Sequence, residues 1–261
     1  VDGDERTMKG SKNRALYGTF MIFMFWYALH FSVHSSVIPS PHETVITFIR
    51  IFPDLLLSHL LRSLGRITMA VTVSLIIGVS LGLWIGMNPK IDEIINPIIY
   101  ILYPVPKIAF LPVLMILFGL GNLSKIVLIT IIIIFQIIVT TRDGVKALTK
   151  ELFYSVRSLG MSQIQIYRHL VIPAVLPKII TALRISVGTS IAVLFFAENF
   201  ATQYGIGYFI MNSWITVNYT KMFSGILALS IMGLLIFKMI DYVESRLCVW
   251  IRVGKMNTDK N

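Results

Sequence analysis

The residue types that could do covalent chemistry are few, and their spacing argues against it. The five histidines, His30, His34, His42, His59 and His169, are scattered along the chain, with no H-E-x-x-H segment and no acidic pair suited to a metal. Cys248 is the single cysteine and has no partner within the chain. A G-x-x-x-x-G-K-[ST] segment is missing too, so ATP phosphates have no cradle of that type here. The expectation is no catalytic residue, no metal and no cofactor held by this chain. An enzyme embedded in a membrane would need converging His, Asp, Glu or Ser groups on neighbouring spans.

Two ionisable residues stand where apolar sequence surrounds them. Lys107 follows Tyr-Pro-Val-Pro, and no regular helix passes undisturbed through Pro104 and Pro106, which lack an amide donor. Broken backbone at membrane depth is tolerated where it is buried in protein or lines a cavity, so Lys107 is a candidate for a polar translocation pathway; the alternative is a lysine snorkelling to the headgroups. Glu198 closes the apolar run Phe-Phe-Ala-Glu. It either lines the outer part of a pathway or accepts backbone amides from the turn at residues 203–207, the second being the reading preferred.

Two further patterns concern contact. Ala70, Ser74, Gly78, Gly82 and Gly86 recur every fourth residue and form a strip of small side chains on one helix face, where another helix can approach closely. Packing within the chain is favoured over a dimer seam. Residues 142–178 have amphipathic periodicity but too many polar residues for a span, and read as helix, turn, helix. Gly160 interrupts the first helix, Ser162 caps a second beginning near Gln163, Pro173 ends it, and Pro177 opens the next span. A solvated loop would not ordinarily expose Leu152, Phe153, Tyr154, Ile164, Ile166 and Tyr167 together, so this knob is a docking element.

The elements that must position these residues follow from composition. The chain has 261 residues, 56% hydrophobic and 14% charged, which is too apolar for a soluble domain. At roughly 20 apolar residues per span it holds about six helices in a single all-α polytopic membrane domain, residues 15–246, flanked by tails at 1–14 and 247–261. The spans are read at residues 15–33, 67–87, 94–118, 126–140 with an extension back to Leu123, 179–196 and 222–240. Residues 1–7 read as an appended segment and are set aside, while residues 41–61 fit a helix lying in the outer interface. Only Arg50, Arg62, Arg66, Lys125 and Lys221 fall outside, with Lys107 unassigned. The other basic residues, from Lys9, Lys12 and Arg14 to Arg252, Lys255 and Lys260, lie inside, which puts both termini in the cytoplasm. The net charge of +10 is therefore topological rather than a sign of nucleic acid.

With those residues placed, residues 151–160 (Glu-Leu-Phe-Tyr-Ser-Val-Arg-Ser-Leu-Gly) and 168–177 (Arg-His-Leu-Val-Ile-Pro-Ala-Val-Leu-Pro) resemble the EAA loop of permeases from binding-protein-dependent ABC importers. Gly160, Leu170, Ile172 and Pro173 match the family's Gly and its apolar-x-apolar-Pro ending, and Glu151 matches a glutamate often found just upstream. The chain departs at the name-giving triplet, where Tyr154, Ser155 and Val156 replace Glu-Ala-Ala. Pro39-Ser-Pro41, Leu64-Gly-Arg66, the stretches at 104–109 and 118–121, Ala197-Glu198 and Gly205-Ile-Gly207 look like the aliphatic sulfonate, taurine and nitrate branch. The resemblance implies a type I importer (MetI-like) permease fold in the inner membrane, a homodimer with a path between its copies, and two cytoplasmic ATPases that bind ATP and magnesium. It also implies an external solute-binding protein and a small anionic solute, or else a neutral heterocycle such as a vitamin precursor. A self-sufficient secondary transporter is the second class, disfavoured because no internal repeat and no midplane carboxylates for a coupling ion are visible.

Overall fold

The computed structural model describes residues 2–33 and 35–250, with side chains from Tyr17 onward. The placements expected for His34 and for Arg252, Lys255 and Lys260 of the C-terminal tail lie outside the described residues, as do the side chains of Lys9, Lys12 and Arg14.

Every regular element among the described residues is helical: α1 (Asp2–Val33), α2 (Pro41–Ile51), α3 (Leu57–Met87), α4 (Pro89–Leu102), α5 (Leu111–Phe118), α6 (Asn122–Lys146), α7 (Lys150–Ser158), α8 (Gln163–Ile166), α9 (Ile172–Glu198), α10 (Ile206–Ile215) and α11 (Tyr219–Leu247). Local chemistry sets several of their starts. Ser40 accepts the Glu43 N–H ahead of Pro41 at the first helical position of α2, and Asn218 accepts the Lys221 N–H to open α11.

Four stretches are long and apolar enough to cross a membrane: Pro41–Met87, Asn122–Lys146, Gln163–Glu198 and Tyr219–Leu247. The pair Pro89–Leu102 and Lys107–Phe118 makes a fifth span if counted as one, bent by 77° at the Pro104–Pro106 break. The apolar part of α1, Tyr17–Val33, is shorter. Five of the six expected spans are thus matched by length and composition, the third of them broken where its prolines remove donors.

Three boundaries expected from sequence do not exist. Residues 41–61 do not form a separate interfacial helix: α2 runs into α3 through a π-helical turn at Phe52–Leu56, in which the Leu57 N–H reaches the Phe52 carbonyl. The resulting 47-residue helix, about 70 Å at 1.5 Å per residue, exceeds twice a hydrocarbon core of about 30 Å, so one end must project beyond it. Pro173 likewise does not end the second helix of the knob. A π-helical turn at Tyr167–Val171 joins α8 to α9, and Pro173 sits in the first turn of α9, where a missing amide costs least. The wider turn ahead of Pro173 is an option the rule that proline breaks helices leaves out, and Pro177, read as opening the next span, lies inside α9 instead.

α3, α6 and α9 form the centre. The strip of small residues lies against α6 within the chain: Ser74 Oγ donates to the Thr130 carbonyl at 3.4 Å, and a Cβ at Gly82 would stand 2.6 Å from Thr141 Cβ. Matching positions rise together, so α3 and α6 run parallel, while α9 runs the other way, with Gly144 beside Val175 and Arg66 beside Glu198. Leu128, Ile129, Ile133 and Ile137 of α6 are fully buried in this seam. The bundle therefore has an α10 end and an α7 end.

Candidate functional site

At the α10 end, polar side chains continue the face carrying the small strip. His59, Ser63 and Arg66 of α3 stand four and three residues apart, hence on one helix face, and all three are buried. Arg66 Nη1 donates to Glu198 Oε1 at 2.5 Å and to the Tyr204 carbonyl at 2.9 Å, while its Nε and Nη2 donate to Asn122 Oδ1 at 2.9 and 2.7 Å. One guanidinium thereby ties α3 to α6, to α9 and to the turn after α9. All five N–H groups are not needed for this; three nitrogens with fork geometry reach all three neighbours.

Glu198 is fully buried. Besides Arg66 it takes the Ser63 hydroxyl, at 2.8 and 2.9 Å from its two oxygens, and the Gly207 N–H at 2.8 Å. Ser63 Oγ accepts the Ile206 N–H at 2.8 Å, and His59 Nδ1 accepts that of Gly205 at 3.0 Å. Three consecutive amides at the start of α10, which no helical carbonyl can satisfy, are thus each met by a side chain from α3 or α9. The Glu198 carboxylate also sits where the helix dipole favours a negative charge. Gly205 adopts φ +141°, and a Cβ there would collide with the Glu198 carboxyl. Of the two sequence readings of Glu198, acceptance of amides from the 203–207 turn is the geometry found.

Lys125 completes this end. It is fully buried, and its ammonium donates to the Leu120 and Gly121 carbonyls at 3.0 and 3.2 Å. The sequence reading puts it on the outer side within the extension of the fourth span to Leu123, and it lies in the first turn of α6, whose first residue is Asn122. A cleft of about 530 Å³ opens beside the network, lined by Arg62, Arg66, Asn122, Thr202, Gln203 and Tyr204 among others. The sequence reading does not single out Arg66 and Ser63 as partners of Glu198, nor His59 and Asn122 as members of the same network. Polar residues recurring at four- and three-residue steps on an otherwise apolar face were the available signal.

Lys107 lies at the bend between α4 and α5. Its ammonium donates to the Leu102 and Tyr103 carbonyls at 2.9 and 3.0 Å and stands 4.8 Å from the centre of the Phe135 ring. The helical donor for the Leu102 carbonyl would be the N–H that Pro106 lacks, so Lys107 supplies what the proline removes, at the negative end of α4.

The α7 end is held by charged clamps. Asp92 accepts Lys146 Nζ at 2.6 Å with Arg142 nearby at 3.6 Å, joining α4 to α6, and Arg184 of α9 pairs with Asp241 and Glu244 of α11. Beyond them projects the knob. Gly160 has φ +75° with nothing within 4 Å of a Cβ, so its turn needs left-handed backbone rather than space. Ser162 and Gln165 form a reciprocal capping box that opens α8. Ile166 is buried and Phe153, Val156, Tyr167 and Leu170 are half-buried against Leu83, Val145, Val171 and Val175, which fastens the knob to the bundle. Leu152, Tyr154, Leu159 and Ile164 remain exposed, the last two at 77% and 80%. The apolar set read as one docking surface is therefore divided: Phe153, Ile166 and Tyr167 point inward, Leu152, Tyr154 and Ile164 outward. Glu151, Tyr154 and Ser155 lie on the solvent side, Ile172 is exposed and Pro173 half-buried. The backbone amide of Glu151 itself and the Thr149 side chain hold the Glu151 carboxyl below its ordinary range, so it stays ionised at neutral pH.

Residues 74–248 match the family described as the binding-protein-dependent transport system inner membrane component. The chain is 32% identical over 192 residues to the taurine transport system permease protein of Escherichia coli K12, covering 74% of this chain and 70% of the relative. It is 29% identical to the formylaminopyrimidine transport permease protein of Halalkalibacterium halodurans, over 82% of this chain and 86% of that one. With the putative aliphatic sulfonates transport permease protein of Bacillus subtilis 168 the identity is 28%, over 84% and 79%. A chain from an inward-facing structure of the MetNI methionine ABC transporter shares the fold, with a TM-score of 0.64 at 20% identity over 71% of this chain and 93% of that one. The extent of the family match and the likeness to the taurine permease together make this chain a multi-pass transport permease rather than an enzyme, and it belongs to the family of inner-membrane components of binding-protein-dependent transport systems.

Proposed function

We propose that the chain is the permease subunit of an ABC importer that moves a small solute into the cytoplasm, with both termini and the α7 end on the cytoplasmic side and the α10 end outside. The observation that carries this reading is the knob, whose Leu152, Tyr154, Leu159 and Ile164 are exposed together although the rest of its apolar surface is packed. Such a surface suits burial in a cleft on a separate ATPase, which would bind ATP and magnesium, and the density of basic residues around it suits the cytoplasmic leaflet. Two permease copies, two ATPases and an external solute-binding protein make up the assembly. The solute is a small anion of the sulfonate, taurine or nitrate kind, consistent with two of the relatives above. The second reading, a neutral heterocycle, rests on the formylaminopyrimidine relative, which the chain matches over a larger share of its length.

The test is reconstitution. The permease is co-expressed with an ATPase and a solute-binding protein of the same type of transport system, placed in proteoliposomes, and supplied with ATP. Uptake of labelled taurine or nitrate supports the first reading; uptake of the pyrimidine alone supports the second. Stable transport by the lone permease without an ATPase would overturn both.

A further inference from the structure

The cleft at the α10 end carries a positive charge that no carboxylate among the described residues neutralises. Arg62 and Arg66 stand one turn apart on α3, where like charges repel. Arg66 is answered by Glu198, but the buried Lys125 ammonium behind the cleft wall meets only carbonyls, and Arg62 has no carboxylate partner among the described residues. Arg142 and Arg184, at the other end, each contact two carboxylates. Arg62 is instead held by Tyr204: its guanidinium carbon lies 5.6 Å from the centre of the ring, while the Tyr204 carbonyl is fixed by Arg66. Three cations and one carboxylate therefore stand in or beside a cleft of about 530 Å³. Asn122, which lines it, spends its oxygen on Arg66 and makes no hydrogen bond through its amide nitrogen among the described residues, leaving that N–H₂ as a donor.

We propose that this cleft is an anion-binding entry site of the permease itself, in which Arg62 and the Asn122 amide receive the oxygens of a sulfonate-, carboxylate- or nitrate-like solute before it passes inward. The planar guanidinium fork suits two oxygens of such a group, and a positive cleft beside low-dielectric walls concentrates anions. Arg66 acts as a positioning residue: it orients Asn122 and Tyr204 and is itself occupied. The inference rests on the reading of the solute as an anion and of the α10 end as external.

Its first test does not depend on transport. In a Cys248→Ser background a cysteine at Gln203, on the cleft rim, is reacted with an anionic sulfonate and with a cationic trimethylammonium methanethiosulfonate of similar size. A cysteine at exposed Asn218 is the reference. The anionic-to-cationic rate ratio at residue 203 should exceed that at 218 and fall by about tenfold on Arg62→Gln, since a charge about 6 Å away in water-like surroundings changes each reagent's rate about threefold and in opposite directions. An unchanged ratio would overturn the site. The second test is taurine uptake by the reconstituted complex under saturating binding protein. Arg62→Gln should lower the maximal rate several-fold and Arg62→Lys should retain most of it, with the half-saturating concentration of binding protein unchanged. A variant that raises that concentration and leaves the maximal rate intact would make Arg62 a protein-docking contact and remove the proposal. Wild-type complex that moves no anion at all would sink the solute reading, whatever the labelling ratio gives.

Discussion

The two ends of the bundle solve opposite problems. At the α10 end, Arg66, Glu198, Ser63 and His59 are nearly inaccessible, and each is used by a partner on another element. At the α7 end, Leu152, Tyr154, Leu159 and Ile164 stand in solvent on a knob whose other face is already packed. The buried network at the first end is complete within the chain; the second has surface left to bury. The contrast teaches that internal pairing and availability to a partner exclude each other residue by residue. Damage should therefore appear as lost stability at the first end and as lost coupling with the fold intact at the second.

The strongest way to break this contrast is to unpair the α10 end. Arg66→Met leaves Glu198 buried without its counter-charge and is expected to cost about 3–5 kcal/mol, read as a fall in thermal unfolding temperature of the purified permease. Adding Glu198→Leu should recover part of the loss, since both charges are then gone, but not all of it, because the Gly207 amide also loses its acceptor. A single variant as stable as wild type would mean that the pair is not closed in the membrane.

Next is Ser63→Ala, which removes a donor to Glu198 and the acceptor of the Ile206 amide in one step. About 1–3 kcal/mol is expected, together with faster hydrogen exchange confined to the first turn of α10. Exchange spread evenly over the bundle would contradict the view of Ser63 as a cap for that helix.

At the other end, Gly160→Val puts a β-branched residue at φ +75° and introduces strain on the order of 1–2 kcal/mol in the turn. The bundle should unfold at nearly its wild-type temperature, because no neighbour lies within 4 Å of the added Cβ, whereas solute-stimulated ATPase activity in the assembled complex should fall sharply. Wild-type stimulation would take the hinge out of the mechanism.

The smallest change in stability is expected for Ile164→Ser, within about 0.5 kcal/mol at a side chain 80% exposed. Retention of the ATPase on an affinity-tagged permease is the readout that sharpens the comparison. A clear loss of partner with no loss of fold marks a docking residue, and an unaltered complex marks Ile164 as plain surface.

How much of this was legible varies with the range of the interaction. The small strip from Ala70 to Gly86 was readable because its cause is helical periodicity, and only the identity of its partner, α6, needed the fold. The Gly160 turn and the Ser162 cap were readable because their chemistry spans a few residues. Pro173 was misread because the local rule for proline omits the π-helical turn at Tyr167–Val171. Lys107 was recognised as unusual, yet its pairing with the carbonyls at the break depends on a bend of 77° that hydropathy does not encode.

By itself the sequence determined that this is a polytopic helical membrane protein with an amphipathic knob, since apolar run length, charge sparsity and short-range caps are properties of consecutive residues. Only the tertiary structure decided what Glu198 does. Its partners Ser63 and Arg66 lie 135 and 132 residues away in the chain, and that Arg66 spends its charge on Glu198 while Arg62, one turn before it, does not follows from the rotation of α3 against α6 and α9. Helix rotation is fixed by packing of the whole seam, and since positions 62 and 66 differ by only about 40° around the axis, that rotation together with one turn of height decides which arginine reaches Glu198.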